Sequence, residues 1–220
     1  FVTEQNLGLI PLQGERDEEW QTGLTIPLRG WGLDADYFHN RVHNFFDHDV
    51  VGNSNIFFPL TIERARIRGF EATLRSPRLW HRGQVHVAWS NQIAEGGGAV
   101  TGGLTDFSPP AGGWFLLDHD QRTTLNAGFD FNLPHATYAS ANFYFGSGFA
   151  NGDAPPTHLP AHGSLDLSLG HDFGERFTLS GTVLNLTNTH LLIDNSETFG
   201  GTHYNDPREF LVELRYRFKY

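Results

Sequence analysis

The sequence predicts an all-β protein: an antiparallel transmembrane β-barrel region of about nine strands with short periplasmic turns and long outer loops. Three observations predict it. Several segments alternate apolar and polar residues, some over ten or so positions; the connections between them are in turn short and long; and the last strand closes in aromatic residues.

The final segment, EFLVELRYRFKY at 209–220, is the clearest. One face carries Phe210, Val212, Leu214, Tyr216, Phe218 and Tyr220, and the other Glu209, Leu211, Glu213, Arg215, Arg217 and Lys219. Strict alternation makes a strand with one apolar and one polar face. About ten residues at roughly 3.3 Å each, tilted, cross a hydrocarbon band of about 25 Å. Residues 123–133 alternate in the same way (Leu125, Ala127, Phe129, Phe131 and Leu133 on one side), as do 164–173, with Leu165, Leu167 and Leu169. Shorter alternating stretches lie at 70–75 and 84–90, and less regular strands are expected near 16–27, 30–46, 136–149 and 176–189.

Short connections fall near Pro27-Leu28-Arg29-Gly30, Ser76-Pro77-Arg78, Leu133-Pro134-His135 and Gly174-Glu175-Arg176. Long ones, rich in Gly, Pro, Asn and Asp, fall near 47–60, 95–117, 150–162 and 190–207. In an outer-membrane barrel short turns face the periplasm and long loops face outside. The last strand follows a long loop, so it runs inward; counting back, residues 1–15 form an outer loop and the strands occupy about 16–220. A soluble β-sandwich also alternates, but its strands run about five to six residues and its loops have no reason to alternate in length.

Composition excludes several classes. The 220 residues contain no Cys, so neither disulfides nor a thiolate metal site are available, and no Met, so the chain reads as a piece of a longer protein. A net charge of −10 disfavours nucleic acid as a partner. No stretch approaches the roughly 18 apolar residues of a membrane-spanning helix, which for a barrel means nothing.

A series of motifs then resembles the C-terminal β-barrel region of TonB-dependent outer-membrane receptors. LQGERDEEWQTGL resembles the family's "PE…E.G" opening of a strand, GWGLDADYFHNRVHNFF its next strand, and RIRGFEATLRS its recurring "GfE" strand. LDHDQRTTLNAGFDF, GSLDLSLGHDFGERFTLSGTVLNLTN and FGGTHYNDPREFLVELRYRFKY follow in family order. The resemblance implies that these strands end a barrel of about 22 strands, preceded by earlier strands and an N-terminal plug that this chain lacks. It implies an active-transport receptor for an iron-siderophore, cobalamin, haem or carbohydrate, energised by TonB through a segment of the absent N-terminal region. Other implied partners are the remainder of the barrel, the barrel-assembly machinery, for which Tyr216, Phe218 and terminal Tyr220 form the signal, and outer-membrane lipids. No cofactor is expected. A passive porin or structural barrel without a plug is the alternative.

Candidate site residues come from the predicted outer loops, because recognition concentrates on loops carried by a rigid scaffold. They are Phe107, Trp114 and Phe115, His48 between Asp47 and Asp49, and Phe199 with His203 and Tyr204. Packing of the loops is the plainer role for the aromatics. His39 and His43 share a strand face about 13 Å apart, too far to hold one metal. His162, Ser164 and Asp166 lack a nucleophile-elbow pattern, so no catalytic residue is expected. Glu71, Glu213, Arg215 and Arg217, on polar strand faces, are expected to pair with the plug or with neighbouring strands.

Overall fold

The structure, a computed structural model, describes residues 13–50, 56–102, 113–152, 156–195 and 202–218. Its strands are β1 (Arg16–Leu28), β2 (Trp31–Val50), β3 (Phe57–Arg75), β4 (Gly83–Gly102), β5 (Trp114–Leu116), β6 (Thr123–Leu133), β7 (Thr137–Gly146), β8 (His162–Phe173), β9 (Phe177–Leu184), β10 (Leu192–Asp194), β11 (His203–Tyr204) and β12 (Glu209–Tyr216). Among the described residues there is no helix.

The sequence order is almost the spatial order. The principal sheet runs β1-β2-β3-β4-β6-β7-β8-β9-β12, with β5 on the upper part of β4, and β10 pairs with β11 separately. Every pairing is antiparallel, so the nine expected strands form one meander. The sheet stays open: β1 and β12 each have one neighbour among the described residues. Open edges leave unpaired N–H and C=O groups, which hydrocarbon does not satisfy, so further strands are needed to close it.

Tight turns lie at one end. Leu28 pairs with Trp31 across Arg29 and Gly30, both at positive φ (49° and 89°), the two-residue turn whose twist suits a hairpin. Leu133 pairs with Thr137, and Phe173 with Phe177, across three residues each. The β3–β4 connection is anchored by Ser76, whose Oγ accepts the Val85 N–H at 2.8 Å.

The apolar faces are not covered by a second sheet. Leu24 (55% exposed), Phe70 (55%), Leu169 (57%) and Val212 (79%) stand on one uncovered side. In water each would forgo more than half of the roughly 1.5–3 kcal/mol that full burial contributes, which a lipid environment supplies. This excludes the sandwich. The opposite side carries short polar ladders. Thr25 and Arg75 both donate to Asp34 at 2.7 Å, Ser90 bonds Thr124 at 2.7 Å, and Ser168 bonds Thr182 at 2.8 Å. Arg215 pairs with Glu213 on the same side of β12, 2.8 Å apart.

Two expected long loops are corrected. Residues 47–60 are largely strand, since β2 reaches Val50 and β3 begins at Phe57; β4 likewise extends to Gly102, and β5 falls within the expected 95–117 loop. The alternation is interrupted there by a bulge. Asn44 (φ 56°) and Gly98 (φ 88°) take left-handed conformations, and the β3–β4 register shifts between Ile62 and Arg64. A bulge changes which residues face which side, so a period-two pattern read from 70–75 stops short of the strand's end. The buried apolar cluster straddles the bulge: Val42, Leu60, Ile62, Ala65 and Leu117, with Phe45, Ala94, Val100 and Phe115 packed on it.

Candidate functional site

At the end opposite the tight turns, β4 outlasts its partner. Gly83–Asn91 pairs with β6 and Glu95–Gly97 with β5, while residues 117–122 turn away between them. The gap is bridged by a side chain: Asp120 Oδ1 accepts the Ala94 N–H at 2.8 Å, next to the backbone bond from Leu117 N–H to Ala94 O at 3.0 Å. Asp120 is 5% exposed. Burial pushes its carboxyl above the usual range; the Ala94 hydrogen bond and the charge of Arg122 pull the other way and do not offset it.

The following connections are fastened onto this turn. The Ala150 N–H donates to Asp120 O at 2.7 Å and the His119 N–H to Ala150 O at 3.3 Å. Gln121, buried, donates through Nε2 to the Tyr144 hydroxyl at 2.7 Å. His162 packs between Tyr144 and Phe149, with ring centroids 5.7 and 5.3 Å away. Gly146 is required here by close approach, because a Cβ at that position would run into Gln121 and His162.

Asn151 extends the junction to the β9–β12 connection. It is fully buried; Nδ2 donates to Pro156 O at 3.2 Å, and Oδ1 accepts the Asn195 N–H at 3.3 Å. Asp194, also buried, lies 3.6 Å from His119 Nε2 and is the register partner of His203. The described residues of three connections, 117–122, 147–152 with 156–162, and 190–195 with 202–206, therefore act as one polar scaffold. It presents the short β10–β11 hairpin, on which His203 and Tyr204 (59% exposed) face solvent.

The remaining candidate residues are dispersed. Trp114 and Phe115 point to opposite sides of β5. Phe115 joins the buried apolar cluster, whereas Trp114 lies under two guanidiniums, Arg66 at 3.9 Å and Arg64 at 5.1 Å from its ring centre. His48 sits on β2, half-exposed beside Asp47, whose Oδ1 accepts its N–H at 2.8 Å. Five strands of the sheet separate β2 from β9. Phe107 and Phe199 lie outside the described residues. At the other end Tyr216 packs between Phe177 (4.8 Å) and Phe218 (4.7 Å), with Phe218 74% exposed; Tyr220 lies outside the described residues. Ser164 and Asp166 share a face of β8, and Asp166 is engaged by the Asn185 N–H at 2.8 Å.

Sequence reasoning missed Asp120, Gln121, Asn151 and Asp194. Their only local signal is a polar residue beside turn-forming residues, which most surface loops share.

A family model described as TonB dependent receptor-like, beta-barrel, matches residues 4–186. No curated protein sequence matches the chain significantly. Among solved structures, the ferric-catecholate import receptor Fiu from E. coli aligns with a TM-score of 0.69 at 14% identity, over 94% of this chain and 28% of that one. A mutant of the ferric enterobactin receptor PfeA from Pseudomonas aeruginosa aligns with 0.62 at 18%, and the copper transporter OprC with 0.66 at 13%, each over 94% of this chain and 32% of the other. The chain thus spans about a third or less of the length of these structures. With the open meander and its uncovered apolar side, the family match fixes the assignment: the chain belongs to the TonB-dependent receptor-like β-barrel family of bacterial outer-membrane proteins.

Proposed function

We propose that the complete protein is an active-transport receptor that captures a scarce nutrient at the cell surface, an iron-siderophore foremost, with cobalamin, haem or carbohydrate as the other classes, and draws on TonB to release it inward. One observation carries the reading: the family model that matches residues 4–186 is that of TonB-dependent receptors, whose barrels, by the resemblance, enclose an N-terminal plug. The family is one of transport receptors, and nothing in it calls for catalysis. Two of the similar structures are, by name, receptors for ferric catecholate and ferric enterobactin, which favours an iron chelate. The third is a copper transporter, so the barrel alone does not set the cargo.

In this reading the polar strand faces contact a plug supplied by the N-terminal part of the protein, which also engages TonB. The β10–β11 hairpin, with His203 and Tyr204, is the best-presented recognition element among the described residues. Trp114, Phe115 and His48 support or flank the outer surface, and Phe107 and Phe199, outside the described residues, remain ligand candidates from the sequence alone.

The test is growth of a deletion strain under iron limitation on a panel of ferric siderophores, with cobalamin, haem and sugars as further arms. Loss of growth on one chelate, restored by the full-length gene only in a tonB-positive background, is the expected result. Restoration in a tonB-negative strain would replace active transport with a passive pore.

A further inference from the structure

The tight turns are basic although the chain is acidic. The connections at 29–30, 76–82, 134–136 and 174–176 hold Arg29, Arg78, Arg82 and Arg176 against one carboxylate, Glu175, in a chain whose net charge is −10. The longest of them, 76–82, ends in a small hairpin of its own. The Leu79 N–H donates to Gly83 O at 2.8 Å, and Leu79 O accepts the Arg82 and Gly83 N–H groups, both at 2.9 Å. Its two central residues, Trp80 and His81, stand at positive φ (50° and 60°). Positive φ at both central positions ordinarily calls for Asn-Gly, and a bulky indole suits it poorly. Trp80 is nevertheless there, and it is 74% exposed. The turn holds out a large apolar ring against its own backbone preference, an outlier that points to a use.

Its attachment places it at the end of the apolar wall. Arg82 O accepts the Asn132 N–H at 2.8 Å, which ties the turn to β6. Phe131, next to Asn132, lies across Gly83, where a Cβ would meet its ring at 2.8 Å, and it stacks with Phe129 at 5.7 Å. Both rings share the uncovered side of the sheet with Leu169, through Ala139 and Ala141. Arg78, His81 and Arg82 are exposed, and no carboxylate pairs with either guanidinium among the described residues. Tryptophan concentrates where hydrocarbon gives way to headgroups. Guanidiniums grip phosphate with paired N–H donors.

We propose that the turn from Arg78 to Arg82 binds the phosphate of an anionic phospholipid in the periplasmic leaflet, with the Trp80 indole at the boundary between headgroup and acyl chains. Charge sets the preference for an anionic headgroup. Residues 76–82 include no carboxylate, so the ammonium of a zwitterionic lipid would find no partner there. The indole and its neighbours Phe131 and Phe129 select a lipid over a soluble anion, since a free phosphate has no use for apolar rings. The inference rests on the barrel's place in the outer membrane and is independent of the nutrient carried.

The test is native mass spectrometry of the full-length receptor in detergent, with phosphatidylglycerol, phosphatidylethanolamine, and inorganic phosphate as competitor. The wild type should retain phosphatidylglycerol selectively, and R78Q/R82Q should retain it less by on the order of tenfold. W80N/H81G gives the turn the residues its backbone favours, so its melting temperature should be unchanged or raised while retention falls. Equal retention of the two lipids by the wild type, undiminished retention in either variant, or displacement by millimolar inorganic phosphate would each overturn the assignment. So would binding to isolated peptidoglycan that R78Q/R82Q abolishes while lipid retention stays the same, since the turn would then face a soluble polymer. If R78Q/R82Q fails to form a heat-modifiable barrel, W80N/H81G decides: weaker retention supports the site, and unchanged retention removes it.

Discussion

Asp120 Oδ1 accepts the Ala94 N–H at 2.8 Å, so a carboxylate completes the β4 ladder at the point where β6 has left it. A buried backbone donor left without an acceptor costs about 1–3 kcal/mol. Asp120→Ala should therefore destabilise the outer end of the sheet by that amount. Asp120→Asn keeps an acceptor oxygen and should stay within about 1 kcal/mol of the wild type. Denaturant unfolding of the full-length receptor, with hydrogen exchange at the Ala94 amide, separates the two. Equal protection in both variants would mean that the bond does not matter.

The same residue gives a pH dependence with a definite sign. Burial raises the folded carboxyl above its ordinary value of 3.8, so the native state holds this proton more tightly than the unfolded chain does. Stability from this group is full below the ordinary value and declines as pH rises through the window up to the raised one. Asp120→Asn cannot titrate, so the wild-type minus variant stability difference should fall with rising pH across that window and then level off. A difference that grows with pH would contradict the burial argument.

Gly146 sits where a side chain would meet both Gln121 and His162. Gly146→Ala should cost about 1–3 kcal/mol, the usual penalty of overpacking. Trimming the obstacle with Gln121→Ala should recover part of that in the double variant, a non-additive result expected of residues in contact. Strict additivity of the two substitutions would show that the junction is looser than the geometry implies.

The legibility of this protein follows from its periodicity. Strands such as β6 and β8 place one uncovered apolar face against one polar face, and that demand is written at every second residue from Thr123 to Leu133 and from Leu165 to Leu169. The upper halves of β2, β3 and β4 were hidden because the Asn44 and Gly98 bulge changes the phase. The junction was hidden for another reason. Asp120, Asn151 and Asp194 are joined only through the folding of three separate connections, a relation that no local spacing records. His203 and Tyr204 were named from composition, and the structure adds the scaffold that presents them.

The two faces of β8 offer a direct comparison. Leu167 is outward, between Ala141 and Val183, while Ser168 on the other face bonds Thr182. Leu167→Arg should cost about 2–4 kcal/mol if it lies near the bilayer midplane and less toward the interface. Ser168→Ala removes one hydrogen bond and should cost about 1 kcal/mol. The yield of heat-modifiable barrel reports both, and a larger loss from Ser168→Ala would reverse the assignment of the faces.

Tyr204 is the recognition candidate whose substitution leaves the scaffold intact. It is 59% exposed on a two-residue strand, so truncation removes little packing. Asp194, three per cent exposed on the partner strand and 3.6 Å from His119, holds the hairpin from beneath. If the hairpin contacts ligand, Tyr204→Ala should weaken ligand capture by on the order of tenfold, as loss of an interfacial aromatic typically does, at unchanged barrel yield. Asp194→Ala should weaken capture and also lower thermal stability, because it releases the support and not the contact. Binding titrations with whichever chelate restores growth, alongside melting of each variant, distinguish the two effects. Unaltered capture by both variants would move recognition away from this hairpin and onto the other outer connections.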